Sequence, residues 1–302
     1  MNTKEIVFII IIILTILYYY KHIEYYQQIL KYRRVPDYTR WILSDKFVAK
    51  QYAKINGFDI PKTYQVVKYP HQIDFSNLPK NYVIKPTDLC SSAGIFLVSN
   101  EIDFFSKSKV TSTNIINKLN ILRSTIGSEH YMHDLMYEGT IPFSGYIVEE
   151  LLLDSKGNIP YDYKCYTFGG KIKYFAVTFN RRIINGKQEF DVVWYTRDWQ
   201  PVKYKMLKKN YKFKMIAKPK EYNKMVYVVE RMSKKFNRHC RIDVYCLNNK
   251  VYLGEFTFFC GAKLHTFLCN FILGFTWFNN PDCYSKTDPK LLDLIPEYYN
   301  KV

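Results

Sequence analysis

The sequence lacks any CxxC pair, and its seven cysteines are odd in number and scattered from Cys90 to Cys283. That pattern excludes a disulfide framework and offers no zinc-ligand spacing, so the thiols read as reduced and mostly buried. No histidine stands in a recognisable nucleophile motif, which removes the main support for a catalytic cysteine. Internal repeats and low-complexity linkers are also absent. Acidic residues are scarce, with 27 Asp and Glu against 44 Lys and Arg, a formal charge of +17. Such an excess attracts polyanions, whether nucleotide phosphates, nucleic acid or anionic lipid, and does not choose among them. The densest basic run, Lys203 to Lys220, interleaves Tyr204, Tyr211 and Phe213, and reads either as a solvated face or as a lipid or polyanion patch. What is present is apolar material: 302 residues that are 48% hydrophobic and 18% aromatic suffice for one large domain or two moderate ones. Disorder and fibrous architectures are excluded.

Ile6 to Tyr20 is an uncharged apolar run ending in three tyrosines of the kind found at a membrane interface. It is shorter than the ~20 residues that span a bilayer comfortably, and no small-residue cleavage site follows it. Positive charge is sparse before the run, at Lys4, and dense after it, at Lys21, Lys31, Arg33, Arg34 and Arg40. The positive-inside bias therefore predicts a single-pass anchor over 1–22 with the body of the protein in the cytoplasm.

Beyond the anchor, Glu24 to Arg34 reads as a polar helical stalk. Ser44 or Asp45 caps a helix that ends at Asn56-Gly57. Strands are expected over Pro61–Val67, Tyr82–Lys85, Gly94–Val98 and Tyr146–Leu152, with helices over Thr111–Ile126 and Val226–Phe236. Two hairpins stand out, one turning at Gly169-Gly170 and the other at Asn248-Asn249. Helices mixed with strand pairs on short turns predict an α+β fold with antiparallel sheet.

Three stretches carry chemistry. In the first, a strand delivers Lys85 to a turn containing Ser91, Ser92 and Gly94. Such a hairpin can donate backbone N–H, hydroxyl and ammonium groups to a triphosphate, although a surface hairpin with a solvated lysine looks the same. The second places Glu149 and Glu150 in an apolar strand that runs on to Leu151 and Asp154. Buried carboxylates need a partner, for which a purine amino group is one answer; glutamates alternating toward water are another. In the third, alternation puts Arg241 with Asp243, and Glu255 with Thr257, on strand faces that converge. Hard oxygen ligands beside an arginine suit Mg²⁺ on nucleotide phosphates, and a salt-bridge ladder is the bland alternative.

Taken as an ordered set, these stretches closely resemble the ATP-grasp superfamily, as in D-alanine–D-alanine ligases. Ser44-Asp45-Lys46, Glu149-Glu150-Leu151, Pro160 with Asp162-Tyr163-Lys164, Gly170-Lys171 and Gly254 to Phe258 are similar to its TupA-like branch, which is associated with surface polysaccharide and teichuronopeptide synthesis. The resemblance covers roughly Arg40 to Gly261 and implies two α+β subdomains clasping ATP between antiparallel sheets. It divides the chain into an anchor (1–22), a stalk and N-terminal subdomain (23–75), a small subdomain (76–145) and a large subdomain with the metal site (146–302).

The resemblance further implies ATP and Mg²⁺ as cofactors. Lys85 would contact the α and β phosphates, with the Ser91-Ser92 turn covering the triphosphate. Glu149, Glu150 and the Leu151 backbone would hold adenine, and Asp154 would reach the ribose. Lys164 would be a further phosphate contact and Arg241 a clamp on the transferring group, with Asp243, Glu255 and Thr257 as metal ligands. The sequence departs from the family pattern at Leu89-Cys90, where glycine is usual, and at Thr257, where many relatives carry asparagine.

The expected activity is carboxylate activation to an acyl phosphate and ligation to an amine. Its substrates would be small molecules or glycan- or lipid-linked precursors, and nucleic acid is not expected as a partner. A carbohydrate-modifying phosphotransferase or glycosyltransferase, or an inert membrane-bound binding protein, are the competing expectations.

Overall fold

The computed structural model describes residues 2–35, 37–90, 92–125, 145–184, 187–208, 215–259, 261–282 and 291. Two five-stranded antiparallel sheets dominate it. The first has the order β1 (Thr63–Val67), β5 (Tyr146–Glu150), β2 (Asn81–Pro86), β3 (Phe96–Ser99), β4 (Ile102–Asp103). The second runs β10 (Lys250–Thr257), β9 (Cys240–Leu247), β6 (Asp162–Phe168), β7 (Lys171–Ile184), β8 (Lys187–Thr196). The α+β expectation holds. The first sheet straddles the boundaries expected at 75/76 and 145/146, because β1 and β5 both belong to it.

A small core of Ile84, Phe96, Val98, Tyr146 and Val148 packs under the first sheet against Ile115 and Leu119 of α5 (Ser112–Thr125). A larger core lies on the second sheet. Helix α6 (Tyr222–Phe236) contributes Met225, Val228, Val229, Met232 and Phe236, a 3.6-period stripe on one face. Its chain then reverses at Asn237, whose φ of 52° is left-handed.

Both hairpin turns follow the sequence. Gly169 and Gly170 take φ of 55° and 72°, and Asn248 and Asn249 take 52° and 60°, the geometry whose twist matches paired strands.

Helix α1 (Thr3–His22) is the one described helix long and apolar enough to cross a membrane, and none of its residues is buried. The segment expected as a stalk is instead core. In α2 (Tyr25–Arg33) the residues Tyr25, Ile29 and Tyr32 recur at helical spacing and are buried. Tyr25 meets a neutral histidine: His239 Nδ1 donates to the Thr167 carbonyl at 2.8 Å, leaving Nε2 to accept from the Tyr25 hydroxyl at 2.8 Å. Burial pushes the His239 imidazole down to about 3, so it stays neutral.

Two further helices matter for the site. Helix α3 (Tyr38–Leu43) leads into α4 (Lys46–Ile55), whose cap is Asp45; its carboxylate accepts from the N–H groups of Phe47 and Val48, both at 2.9 Å. Helix α7 (Phe267–Phe278) packs beside α2 and was not expected from the sequence.

Candidate active site

The first cluster of charge lies on the first sheet. In the β2–β5 register Val83 faces Glu149 and Lys85 faces Ile147, so Lys85 and Glu149 are diagonal neighbours on one face. Their side chains form an ion pair, and Lys50, from α4, brings a second ammonium to 2.6 Å from Glu149. Lys50 is 1% exposed and Glu149 3% exposed, so this carboxylate is answered by two lysines in a nearly dry setting. Burial alone would raise the Glu149 carboxyl, but Lys50 and Lys85 outweigh it and hold it below its ordinary value. Burial lowers the Lys50 ammonium to about 8, against the opposing pull of Glu149.

The turn after β2 is fastened at its base. Thr87, Asp88 and Leu89 are buried, and Arg123 from α5 grips Asp88 with two parallel hydrogen bonds of 2.8 and 2.6 Å. Lys46, the first residue of α4, donates to the Pro86 carbonyl at 3.1 Å and to that of Leu89. Ser92 follows in a left-handed conformation with φ of 61°. Ser91 lies outside the described residues.

Glu150 faces away from this cluster, and its carboxylate accepts from the Lys62 N–H at 3.2 Å. Leu151 is buried at the end of β5. Asp154 closes its own turn, accepting from the N–H groups of Lys156 at 2.9 Å and Asn158 at 2.8 Å. The Asn158 N–H, with that of Lys156, holds its carboxyl below the usual range. The ribose contact expected of Asp154 therefore competes with a satisfied turn.

The second cluster lies on the second sheet. Register sets Lys164 opposite Asp243, Asp243 opposite Glu255, and Arg241 opposite Thr257. The alignment depends on a bulge at Gly254, where the pairing slips between Leu253 and Glu255. Val251 and Leu253 face the core before the bulge, and Phe256 does after it. Without the extra residue Glu255 would point into that core. An added Cβ at Gly254 would sit 3.0 Å from the Asp243 carbonyl oxygen, so the strands approach closely there.

Arg241 is the hub. It grips Asp243 with two bonds of 2.7 Å and also donates to Glu255 at 3.1 Å and to Thr257 at 3.0 Å. Thr257 donates to Glu255 at 2.8 Å, and Lys164 reaches Asp243 at 2.6 Å and Asp162 at 2.9 Å. Arg181 from β7 pairs with Asp162 as well. Burial would raise the Glu255 carboxyl, yet Arg241, Lys164 and Lys46 hold it below its ordinary value.

Lys46 connects the two clusters. Burial lowers its ammonium, while Glu255 of the second sheet pulls it up and Lys85 of the first pushes it down. Lys46 thus links Lys85 and its partner Glu149 on the first sheet to Glu255 and its strand neighbour Asp243 on the second, with α4 packed on β10.

Sequence reasoning gave no role to Lys46, Lys50, Asp162 or Arg181. The signal for the first two was available. Lys46 and Lys50 sit one turn apart on the same helix face as Ala49 and Ala53, where a core-facing helix carries apolar residues.

Two carboxylates and a hydroxyl on one face of the β9–β10 pair form a hard-oxygen donor set that fits Mg²⁺. One oxygen of Asp162 beside them is buried without a hydrogen-bond partner. No group of three or more His, Cys, Asp or Glu side chains forms a metal cage among the described residues.

The family model of the TupA-like ATP-grasp matches residues 25–270. Among solved structures, D-alanine–D-alanine ligase from Bacillus anthracis complexed with ATP aligns at 15% identity with a TM-score of 0.42, covering 86% of this chain and 67% of that one. A macrocyclase from Microcystis aeruginosa bound with its precursor peptide aligns at 12% identity and a TM-score of 0.41, covering 82% and 68%. N5-carboxyaminoimidazole ribonucleotide synthetase from Thermus thermophilus aligns at 11% identity and a TM-score of 0.41, covering 80% and 54%. The chain thus spans about two thirds of the first two structures and about half of the third. No curated protein matches the sequence.

Proposed function

The chain belongs to the TupA-like ATP-grasp family, and from that premise we propose that it is a membrane-anchored, ATP-dependent carboxylate–amine ligase of surface-polymer synthesis. The observation that carries this reading is the position of Lys46: it opens α4, which packs on β10 of the second sheet, and its ammonium donates to the Pro86 carbonyl at the end of β2 in the first. Lys46 and Lys85, with Lys50 behind them, supply positive charge to a triphosphate laid between the sheets. Glu149 pairs with Lys50 and Lys85 and keeps them apart and oriented. Leu151 and the end of β5 border the adenine, and the turn that follows β2, which carries Ser92, covers the phosphates.

Asp243, Glu255 and Thr257 would hold Mg²⁺, which neutralises charge on the phosphates when bound. Arg241, which grips both carboxylates, stands at the metal ligands and would clamp the transferring phosphoryl group. Lys164 stands beside it for the same anion. The substrate carboxylate attacks the γ-phosphorus and expels ADP, giving an acyl phosphate. An amine then attacks the acyl carbon, loses a proton, and displaces inorganic phosphate to leave an amide. Positioning and charge neutralisation supply most of the rate enhancement in such a transfer.

Helix α1 is the anchor in this reading. Lys21, Lys31, Arg33 and Arg34 beyond it favour a cytoplasmic body, where ATP is available and thiols stay reduced. Full-length protein in lipid nanodiscs, given Mg-ATP with candidate carboxylates and amines, should release ADP and form an amide. ADP with a phosphorylated sugar would instead indicate a phosphotransferase, and absence of nucleotide binding an inert protein. The anchor is tested separately by extracting native membranes at alkaline pH, where α1 should retain the full chain.

A further inference from the structure

Helix α7 is apolar on both sides. Cys269, Leu273 and Trp277 face the core, while Leu264, Phe267, Leu268, Phe271, Phe275 and Phe278 form a continuous outward face at 38% to 59% exposure. A helix greasy all round belongs inside a protein or against lipid, and so large an exposed patch marks a contact surface. At 12 residues α7 is too short to span a bilayer, which suits a helix lying along its surface.

Two features identify what covers it. The patch is continuous with the end of α1: Tyr19 packs on Phe271 with ring centres 5.0 Å apart, and Tyr20 approaches Phe267 at 6.0 Å. Gly274 lets the helix backbone seat directly on the α1–α2 connection at Ile23 to Tyr25. The patch is also flanked by positive charge. The segment around Lys203 to Lys208 is stitched to the start of α7, with the Lys208 N–H donating to the Leu264 carbonyl at 2.9 Å and the Thr266 hydroxyl to that of Lys205 at 2.8 Å. Lys203, Lys205, Lys208 and Lys263 are all exposed, beside exposed Tyr204.

We propose that the outward face of α7 and this lysine row form a second membrane-contacting surface, which lies in the headgroup layer of an anionic bilayer where α1 enters it. The proposal rests on the reading of α1 as a membrane span. Aromatic side chains enter the acyl boundary, and the lysines meet lipid phosphates. The contact fixes the catalytic domain against the membrane rather than leaving it on a tether, and so presents the cleft to lipid-linked substrates.

The test uses the full chain in nanodiscs of phosphatidylcholine with or without phosphatidylglycerol, carrying a trace of phosphatidylcholine with a diazirine near the top of its acyl chain. After photolysis, labelled peptides are read by mass spectrometry. Labelling of both α1 and α7, with α7 labelling raised several-fold by phosphatidylglycerol, is expected. The paired change Phe275→Glu and Phe278→Glu should remove α7 labelling and leave that of α1 unchanged. Labelled α1 with unlabelled α7 overturns this inference and leaves the anchor standing. The same pattern, with a protein–protein crosslinker joining α7 to a second copy or to residues 292–302, assigns the face to that occupant instead. Absence of label from both helices overturns the anchor reading and this inference with it.

Discussion

The two charged clusters are built differently, and the difference assigns them different ligands. On the first sheet two ammoniums, Lys50 and Lys85, surround one carboxylate, Glu149. On the second sheet one guanidinium, Arg241, is shared by Asp243, Glu255 and a hydroxyl. The first has cation to spare and suits a polyphosphate. The second collects oxygen donors and suits a metal. The first is also the drier, with Lys50 and Glu149 nearly sealed, whereas the Glu255 side chain keeps 29% of its surface. A buried ion pair tolerates loss of a partner poorly, and a half-open one exchanges partners readily.

The largest expected effects come from breaking each cluster at its ligand-facing member. Glu255→Gln and Lys85→Ala should each lower kcat for ADP release by about 100- to 1,000-fold, as loss of a transition-state charge contact does. Their remedies should differ. Raising Mg²⁺ should partly restore Glu255→Gln and leave Lys85→Ala unchanged. Identical responses would erase the division of labour between the sheets.

Next in size is Glu149→Gln, which leaves two lysines facing each other in a dry site. A loss of about 3 kcal/mol in folding stability is expected at pH 7, measured by denaturant unfolding. A change below about 0.5 kcal/mol, the range of ordinary surface substitutions, would mean that the cluster is not sealed.

The sequence exposed parts of this arrangement and concealed others, for physical reasons. Hairpins at Gly169-Gly170 and Asn248-Asn249 were legible because their turns need left-handed residues. The Asp45 cap was legible from chemistry local to the chain. Arg241, Asp243, Glu255 and Thr257 could be paired from strand alternation, but the bulge at Gly254 that brings Glu255 round to Asp243 could not. Insertion of β5 between β1 and β2 is a long-range pairing with no local signature. Helix α7 was missed because residues apolar on every side leave no period to read. Strand β8 was missed although Asn185-Gly186 before it is a strong hairpin signal. Lys50 was passed over because a lysine in a helix is ordinarily a solvated one.

That lysine gives a sharper test of how dry the first cluster is. The folded protein releases the Lys50 proton near pH 8, whereas the unfolded chain keeps it to about the ordinary 10.5. Between those values the unfolded state binds more protons, so stability rises with pH, by about 1.4 kcal/mol per unit. Relative to Lys50→Met, which has no such titration, the wild type should gain stability steadily from about pH 8 to 10.5 and run parallel to it below. The cost of Glu149→Gln should shrink as the pH rises toward about 8 and level off above it, since Glu149 holds the Lys50 proton in place and without it that proton leaves at lower pH. A flat difference between wild type and Lys50→Met from about pH 8 to 10.5 would place Lys50 in water.

The smallest effect probes the second cluster's geometry rather than its charge. Gly254→Ala puts a methyl group 3.0 Å from the Asp243 carbonyl, and the strands must part by a few tenths of an ångström. The φ at Gly254 is not left-handed, so only this crowding acts, at about 1 kcal/mol of stability. Asp243 and Glu255 face each other across the bulge, and the same shift separates the two carboxylates. The Mg²⁺ concentration needed for half-maximal ADP release should therefore rise several-fold, with ATP binding in the absence of metal unchanged. Were metal dependence to stay fixed while stability fell, the bulge would serve packing alone, and the alignment of Glu255 with Asp243 would not be what the metal requires.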